Sequence, residues 1–281
     1  MTKTLLMARF TVREALHKRV VHGILALTIA FVLVFTLGVW FAFHQLGTVQ
    51  GGAQVATVHR MVALQFTMLG MNAVSGIGAL LAIFLSVGTI SSEIDAGTLH
   101  AIVPKPLTRR DILLGKWLGY AITIAVYVFV LSIVVGTIVG VLSGRLDAWQ
   151  LFTASLPLVV QALLLLSLSV LGTTFLPTVA NGVVVFGLYS VALMSGFVEQ
   201  LGSLISNQSM IDIGIVVSLL VPSDSMAKLS ASILQSGASY LERMGPFVVN
   251  SEPSGWMVVY TVVYILATLG VANLVFSRRD L

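Results

Sequence analysis

Apolar and polar positions along this chain fall in long blocks rather than in residue-by-residue alternation. Six blocks are long and almost uncharged: about 20–43, 66–90, 117–142, 151–175, 178–198 and 256–276. A hydrocarbon core of about 30 Å takes roughly 20 apolar residues as helix, so each block is long enough to cross a membrane. The fourth and fifth come from one uncharged stretch, Ala148 to Val198, whose 51 residues are too many for a single helix. Pro177, Asn181 and Gly182 interrupt it near the middle, which predicts a helical hairpin.

Two shorter patterns flank the spans. Leu5, Val12 and Leu16 share one face of a 3.6-residue period with Arg9 and Arg13 beside it, the pattern of a helix lying on the inner membrane surface. A basic topology anchor describes the same residues equally well. In the segment 199–255, Met210 to Val221 is apolar but too short to span, so it is expected to be re-entrant or interfacial. After Pro222, the positions Met226, Leu229 and Ile233 predict an amphipathic helix. A small extracellular helical cap between spans five and six is expected, not a separate domain.

Composition agrees with the pattern. The chain is 57% hydrophobic and 9% charged, with mean hydropathy +1.02, whereas soluble domains are about a quarter charged. The pI of 9.6 reads as basic residues facing anionic lipid and setting topology, not as nucleic-acid binding. There is no cysteine, hence no disulfide, thiol nucleophile or thiolate metal site. The first apolar run, about 24 residues, is too long for a signal-peptide core, so no cleavable leader is expected. The fold class is an all-α membrane protein with six transmembrane helices, forming a single domain over 1–281.

Lys and Arg set the orientation. With the N-terminus inside, the inner segments hold Lys3, Arg9, Arg13, Lys18, Arg19, Lys105, Arg109, Arg110, Lys116, Arg278 and Arg279. The outer segments hold Arg60, Arg145, Lys228 and Arg243. Eleven against four places both termini in the cytoplasm, in a plasma (inner) membrane.

Several chemistries are missing. No span has an ionisable group in its central part; Glu199 sits just beyond one end, and His22 and His44 flank the first span. Ion-coupled carriers usually bury such a group at midplane, so a secondary transporter is disfavoured. Gly115-Lys116 hints at a phosphate loop, but that pattern needs Gly at 110 and Ser or Thr at 117, where the chain has Arg110 and Trp117. His17, His22, His44, His59 and His100 are scattered, with no metal-ligand spacing, and Met61, Met68 and Met71 read as packing rather than copper ligands. No catalytic activity and no metal are expected of this chain.

The densest chemistry lies between spans two and three, where Glu93, Asp95, Lys105, Arg109, Arg110, Asp111 and Lys116 crowd into 26 residues. Glu93 and Asp95 stand beside an apolar ladder, Leu99, Ile102 and Val103, at helical spacing. Pro104 and Pro106 end that helix in a turn. Thr108 followed by Asp111 fits a helix cap signature, with the new helix running through Arg109, Arg110 and Lys116 into span three. A bare polar loop does not account for acids and an apolar ridge on the side that favours positive charge. The segment reads as a docking surface for a soluble partner.

The set Glu93, Gly97-Thr98, Pro104-Lys105-Pro106, Arg109 and Gly115-Lys116 resembles the permease subunits of ABC-2-type transporters, nearest the group containing the nitrous-oxide-reductase maturation permease. The resemblance covers the whole chain, down to the Arg278-Arg279-Asp280 tail. It implies a permease paired with a second copy or a related one, carrying two ATPase subunits that bind ATP and Mg. It also implies that the helix after span two couples to the ATPase, with Glu93, Asp95, Gly97, Thr98, Leu99 and Ile102 as its contact residues. Spans two and five would face the path between subunits, which singles out Asn72 and Asn181.

Small residues recur at helix-packing spacing: Gly136, Gly140 and Gly144 on span three, and Gly78, Ala82 and Ser86 on span two. They serve either packing within the chain or a dimer interface. With neutral polar groups such as Gln65 and Gln161 as the only polar span residues, the expected activity is ATP-driven export of a lipid-like, amphipathic or drug-like substrate. The alternatives are an ATPase-anchoring subunit with a regulatory or mechanical role, or an ATPase-independent channel or carrier.

Overall fold

The computed structural model describes residues 3–47, 53–89, 108–144, 147–240, 249 and 253–278. Among them the regular structure is helical, in nine segments: α1 (Lys3–His17), α2 (Arg19–Gly47), α3 (Ala53–Ser86), α4 (Arg109–Ser143), α5 (Ala148–Thr173), α6 (Thr178–Leu204), α7 (Gln208–Leu220), α8 (Ser223–Gln235) and α9 (Trp256–Arg278). Six of these, α2 to α6 and α9, are long and apolar enough to cross a membrane. With one crossing for each of the six, both ends of the chain share one side, here termed the terminal face. The α2–α3 and α4–α5 connections lie on the far face. Three exposed tryptophans, Trp40, Trp149 and Trp256, sit at the far ends of α2, α5 and α9, where an interfacial aromatic belt belongs.

The helix ends follow local chemistry. Thr108 and Asp111 form a reciprocal capping box at the start of α4. Gly144 closes α4 with φ 68°, a left-handed conformation that costs glycine little. Asp147 then caps α5 by accepting the Gln150 N–H at 3.0 Å.

α3 and α5 form the centre, with 67% and 72% of their most apolar stretch buried, while α2 and α9 bury 22% each and present the rest outward. The small-residue spacings are spent inside the chain: a Cβ at Gly78 would stand 2.8 Å from Val128 Cγ2, and one at Gly136 2.8 Å from Leu151 Cδ1. Gly144 is a cap and packs against nothing. Between helices, Ser75 donates to Gln161 Oε1 at 3.0 Å and the Trp117 indole to Ser167 Oγ at 2.9 Å.

α1 is the expected N-terminal helix, but the face that packs is its small one. Ala8, Thr11 and Ala15 are buried against α4, while Leu5 and Leu16 stay about half exposed. Gly115 and Gly119 make room: a Cβ at Gly119 would stand 2.7 Å from the Ala8 carbonyl oxygen.

The far-face excursion differs from a cap. α7 runs back along α6, with Gly202 beside Ile211 and Gly214 beside Ser195, which is antiparallel packing. The chain bends by 110° and α8 enters the bundle, where Ser230 Oγ donates to the Ala154 carbonyl at 2.6 Å and Gln150 Nε2 to the Ile233 carbonyl at 3.0 Å. Its many serines and alanines allow that close approach.

Candidate functional site

Two polar regions stand out in an otherwise apolar bundle. The first is the base of the segment between α3 and α4 on the terminal face. Glu93, Asp95, Gly97, Thr98, Leu99, Ile102, Pro104 and Pro106 lie outside the described residues, but both roots of their segment are visible. Beyond α3, Gly88 turns the chain at φ 81°, and Lys116 Nζ donates to the Thr89 carbonyl at 2.9 Å. At the other root, Asp111 Oδ2 accepts from Thr108 Oγ1 at 2.7 Å, and Asp111 Oδ1 accepts from Thr4 Oγ1 of α1 at 3.0 Å. One turn further on, Lys18 Nζ donates to Tyr120 Oη at 2.7 Å and to the Leu85 carbonyl at 3.4 Å, and pairs with Glu14 at 3.3 Å. The two roots are thus tied to α1, α3, α4 and the α1–α2 junction at Lys18.

Sequence placed Thr108 and Asp111 correctly as a cap, and did not anticipate the grip of Thr4, Lys18 and Lys116. Gly115-Lys116 has a structural use in place of a phosphate-binding one: the glycine admits α1 and the lysine holds the α3 end.

The second region lies at the α7–α8 break. Lys228 Nζ is 2.6 Å from Glu199 Oε2 and 2.8 Å from Asp224 Oδ2, and all three side chains are about nine-tenths buried. A Cβ at Gly196 would run into the Asp224 carboxylate, so the break is seated directly on the α6 backbone. Here the place expected for Glu199, just beyond the end of span five, needs correction. α6 continues to Leu204, placing Glu199 inside a spanning helix and not beyond its end. A hydropathy reading stops at the first charge, but the helix carries on past it, and Lys228, 29 positions away, pairs with that carboxylate. An Asp and a Lys four apart after Pro222 were the available signal.

The two candidate pathway residues are not brought together. Asn72 is exposed, donates to the Met68 carbonyl at 3.0 Å, and borders a cleft shared with α6 and α8. Asn181 is fully buried in the α5–α6 hairpin, where its Nδ2 donates to the Ser169 carbonyl at 2.9 Å. Its side chain lies over Gly172, a position that has no room for a Cβ. Asn181 staples the turn near the terminal face.

The family model described as ABC-2 family transporter protein matches residues 8–281, nearly the whole chain. The chain belongs to that family. It is accordingly an ABC-2 permease, the membrane component of an ABC transporter, and the family implies association with an ABC ATPase. No curated protein matches this permease. Its multi-pass helical architecture accords with membership.

Proposed function

We propose that this permease is the exporter subunit of a complex with separate ATPases, which dock on the segment 90–107 from the cytoplasm. The observation that carries this reading is the pinning of both roots of that segment, Thr89 by Lys116 and Thr108 by Asp111, which Thr4 holds in turn. A docking element tethered loosely at its ends would dissipate any push. A buried charged hydrogen bond at one root and an exposed capping box tied to α1 at the other instead pass displacement into α1, α3 and α4, the kind of two-state rearrangement that nucleotide binding biases.

The orientation follows from the charge bias: the terminal face carries the excess of Lys and Arg and is the cytoplasmic one. ATP and Mg belong to the ATPase partner, in two copies on a pair of permeases. Relation to the nitrous-oxide-reductase maturation group remains part of this proposal, resting on the motif residues of the docking segment.

The test is co-expression with an ABC ATPase encoded beside the gene and purification through a tag on this chain alone. Recovery of a stoichiometric, ATP-hydrolysing complex that is lost or uncoupled on Glu93→Arg with Asp95→Lys supports the reading. A chain that purifies alone and moves solute in liposomes without ATPase overturns it.

A further inference from the structure

The cleft bordered by Asn72 on α3, Leu193, Phe197 and Gln200 on α6, and Asp224 and Lys228 on α8 has a volume of about 220 Å³ and is open on one side. Its depth follows from α6: Gly196, against which Asp224 rests, lies seven residues before Ser203, where the spanning stretch ends. At 1.5 Å per residue that is about 10 Å from the far end of α6. Its lining is part apolar, with Leu193, Ala227 and Ala231, and part charged.

The charge is unbalanced. Asp224 and Glu199 bring two carboxylates to a single ammonium on Lys228, leaving one excess negative charge. Among the described residues, no second cation lines the cleft. An uncompensated carboxylate in a low-dielectric setting is costly unless a positive charge joins it or a proton neutralises it. Beside it Phe197, 63% exposed, offers a ring of the kind on which alkylated ammonium groups rest. Excess negative charge, an aromatic ring and apolar lining within one opening are the complement of a particular ligand chemistry.

We infer that the cleft between α3, α6 and α8 binds an amphipathic cation, a substituted ammonium on an apolar or aromatic body, whose charge is met by the Asp224–Lys228–Glu199 cluster. Lys228 holds the two carboxylates in place and sets the net charge at one, so a monovalent cation completes the site. The permease reading enters only in making such a cation the cargo; the binding site stands without it.

The test titrates the full chain in nanodiscs with benzyltrimethylammonium and with benzenesulfonate, an anion of similar size, by ligand-observed NMR corrected for empty nanodiscs. The cation is expected to bind at least tenfold more tightly than the anion. Asp224→Asn, which keeps the Lys228–Glu199 pair and removes the excess charge, should weaken cation binding at least tenfold. Phe197→Leu, away from the ion cluster, should weaken it about threefold, which keeps the test decisive if the Asp224 variant misfolds. Equal binding of both ions, no response to either variant, or no cation binding at all, as when a proton neutralises the cluster, overturns the inference. If binding fails while the ATPase is still captured, the cleft assignment falls and the permease reading stands; if the ATPase is lost while binding persists, the reverse holds.

Discussion

Lys116 Nζ donates to the Thr89 carbonyl at 2.9 Å, joining two residues 27 positions apart that flank the proposed docking segment. Lys116 is 4% exposed, so its charge is held almost wholly by protein groups. Replacing it with methionine keeps the stem and leaves that carbonyl without its charged donor, a loss of about 1.5–3 kcal/mol. A lower thermal midpoint in detergent is expected. In the ATPase complex, transport per ATP should fall more than hydrolysis itself; an unchanged ratio would show that this root carries no coupling.

Gly119→Ala sets a methyl group against the Ala8 carbonyl, at 2.7 Å without relaxation. The α1 helix should lift from α4, and trypsin should cut at Arg9 and Arg13 faster than in the parent. Gly38→Ala, where nothing lies within 4 Å, is the matched control and should leave cleavage unchanged.

Lys228→Met strands Glu199 and Asp224 as two buried carboxylates. Breaking a buried pair from one side costs about 3–5 kcal/mol. Combining it with Glu199→Gln removes one of the stranded charges, so the double variant should be more stable than the sum of the single effects predicts. Thermal midpoints of the four proteins in the cycle give the coupling, and additivity within about 0.5 kcal/mol would mean the ion pair is not energetically formed.

Gly172→Ala drives a methyl group into the Asn181 side chain, whose Cγ would be 2.7 Å away. Overpacking of this kind costs about 1–3 kcal/mol. Adding Asn181→Ala should recover part of the loss, since the obstructing amide is gone. No recovery would place the strain in the α5 backbone and not in this contact.

Much of the fold is legible in the sequence because the bilayer imposes a length and a polarity on each crossing. The six apolar blocks became six spanning helices, the hairpin break fell at the α5–α6 turn, and Thr108 with Asp111 capped α4 as their spacing predicts. Met210 to Val221, expected to be re-entrant or interfacial, falls on α7, a short helix that runs antiparallel to α6. Helix edges were less legible: α3 begins at Ala53, 13 residues before the apolar block, because His59 and Arg60 do not end a helix that has already started.

The candidate site was only half visible. Asn72 and Asn181 are alike as residues, yet one borders an open cleft and the other is locked in a turn. The glycine spacings promised close packing, but their partners, Val128 and Leu151, could be named only once the helices were placed.

By itself, the sequence determined the class, the number of crossings, the side on which positive charge gathers and the family, since each rests on local composition or on motifs contiguous in the chain. Only the tertiary structure decided that Glu199, Asp224 and Lys228 share one buried cluster, and that Thr4, Lys18 and Lys116 grip the roots of the docking segment. These pairings join residues 27 to 107 positions apart, apart from the Asp224–Lys228 step within α8. A charge's partner at such separation is set by how helices pack, and hydropathy, which averages over neighbours in the chain, carries no record of it.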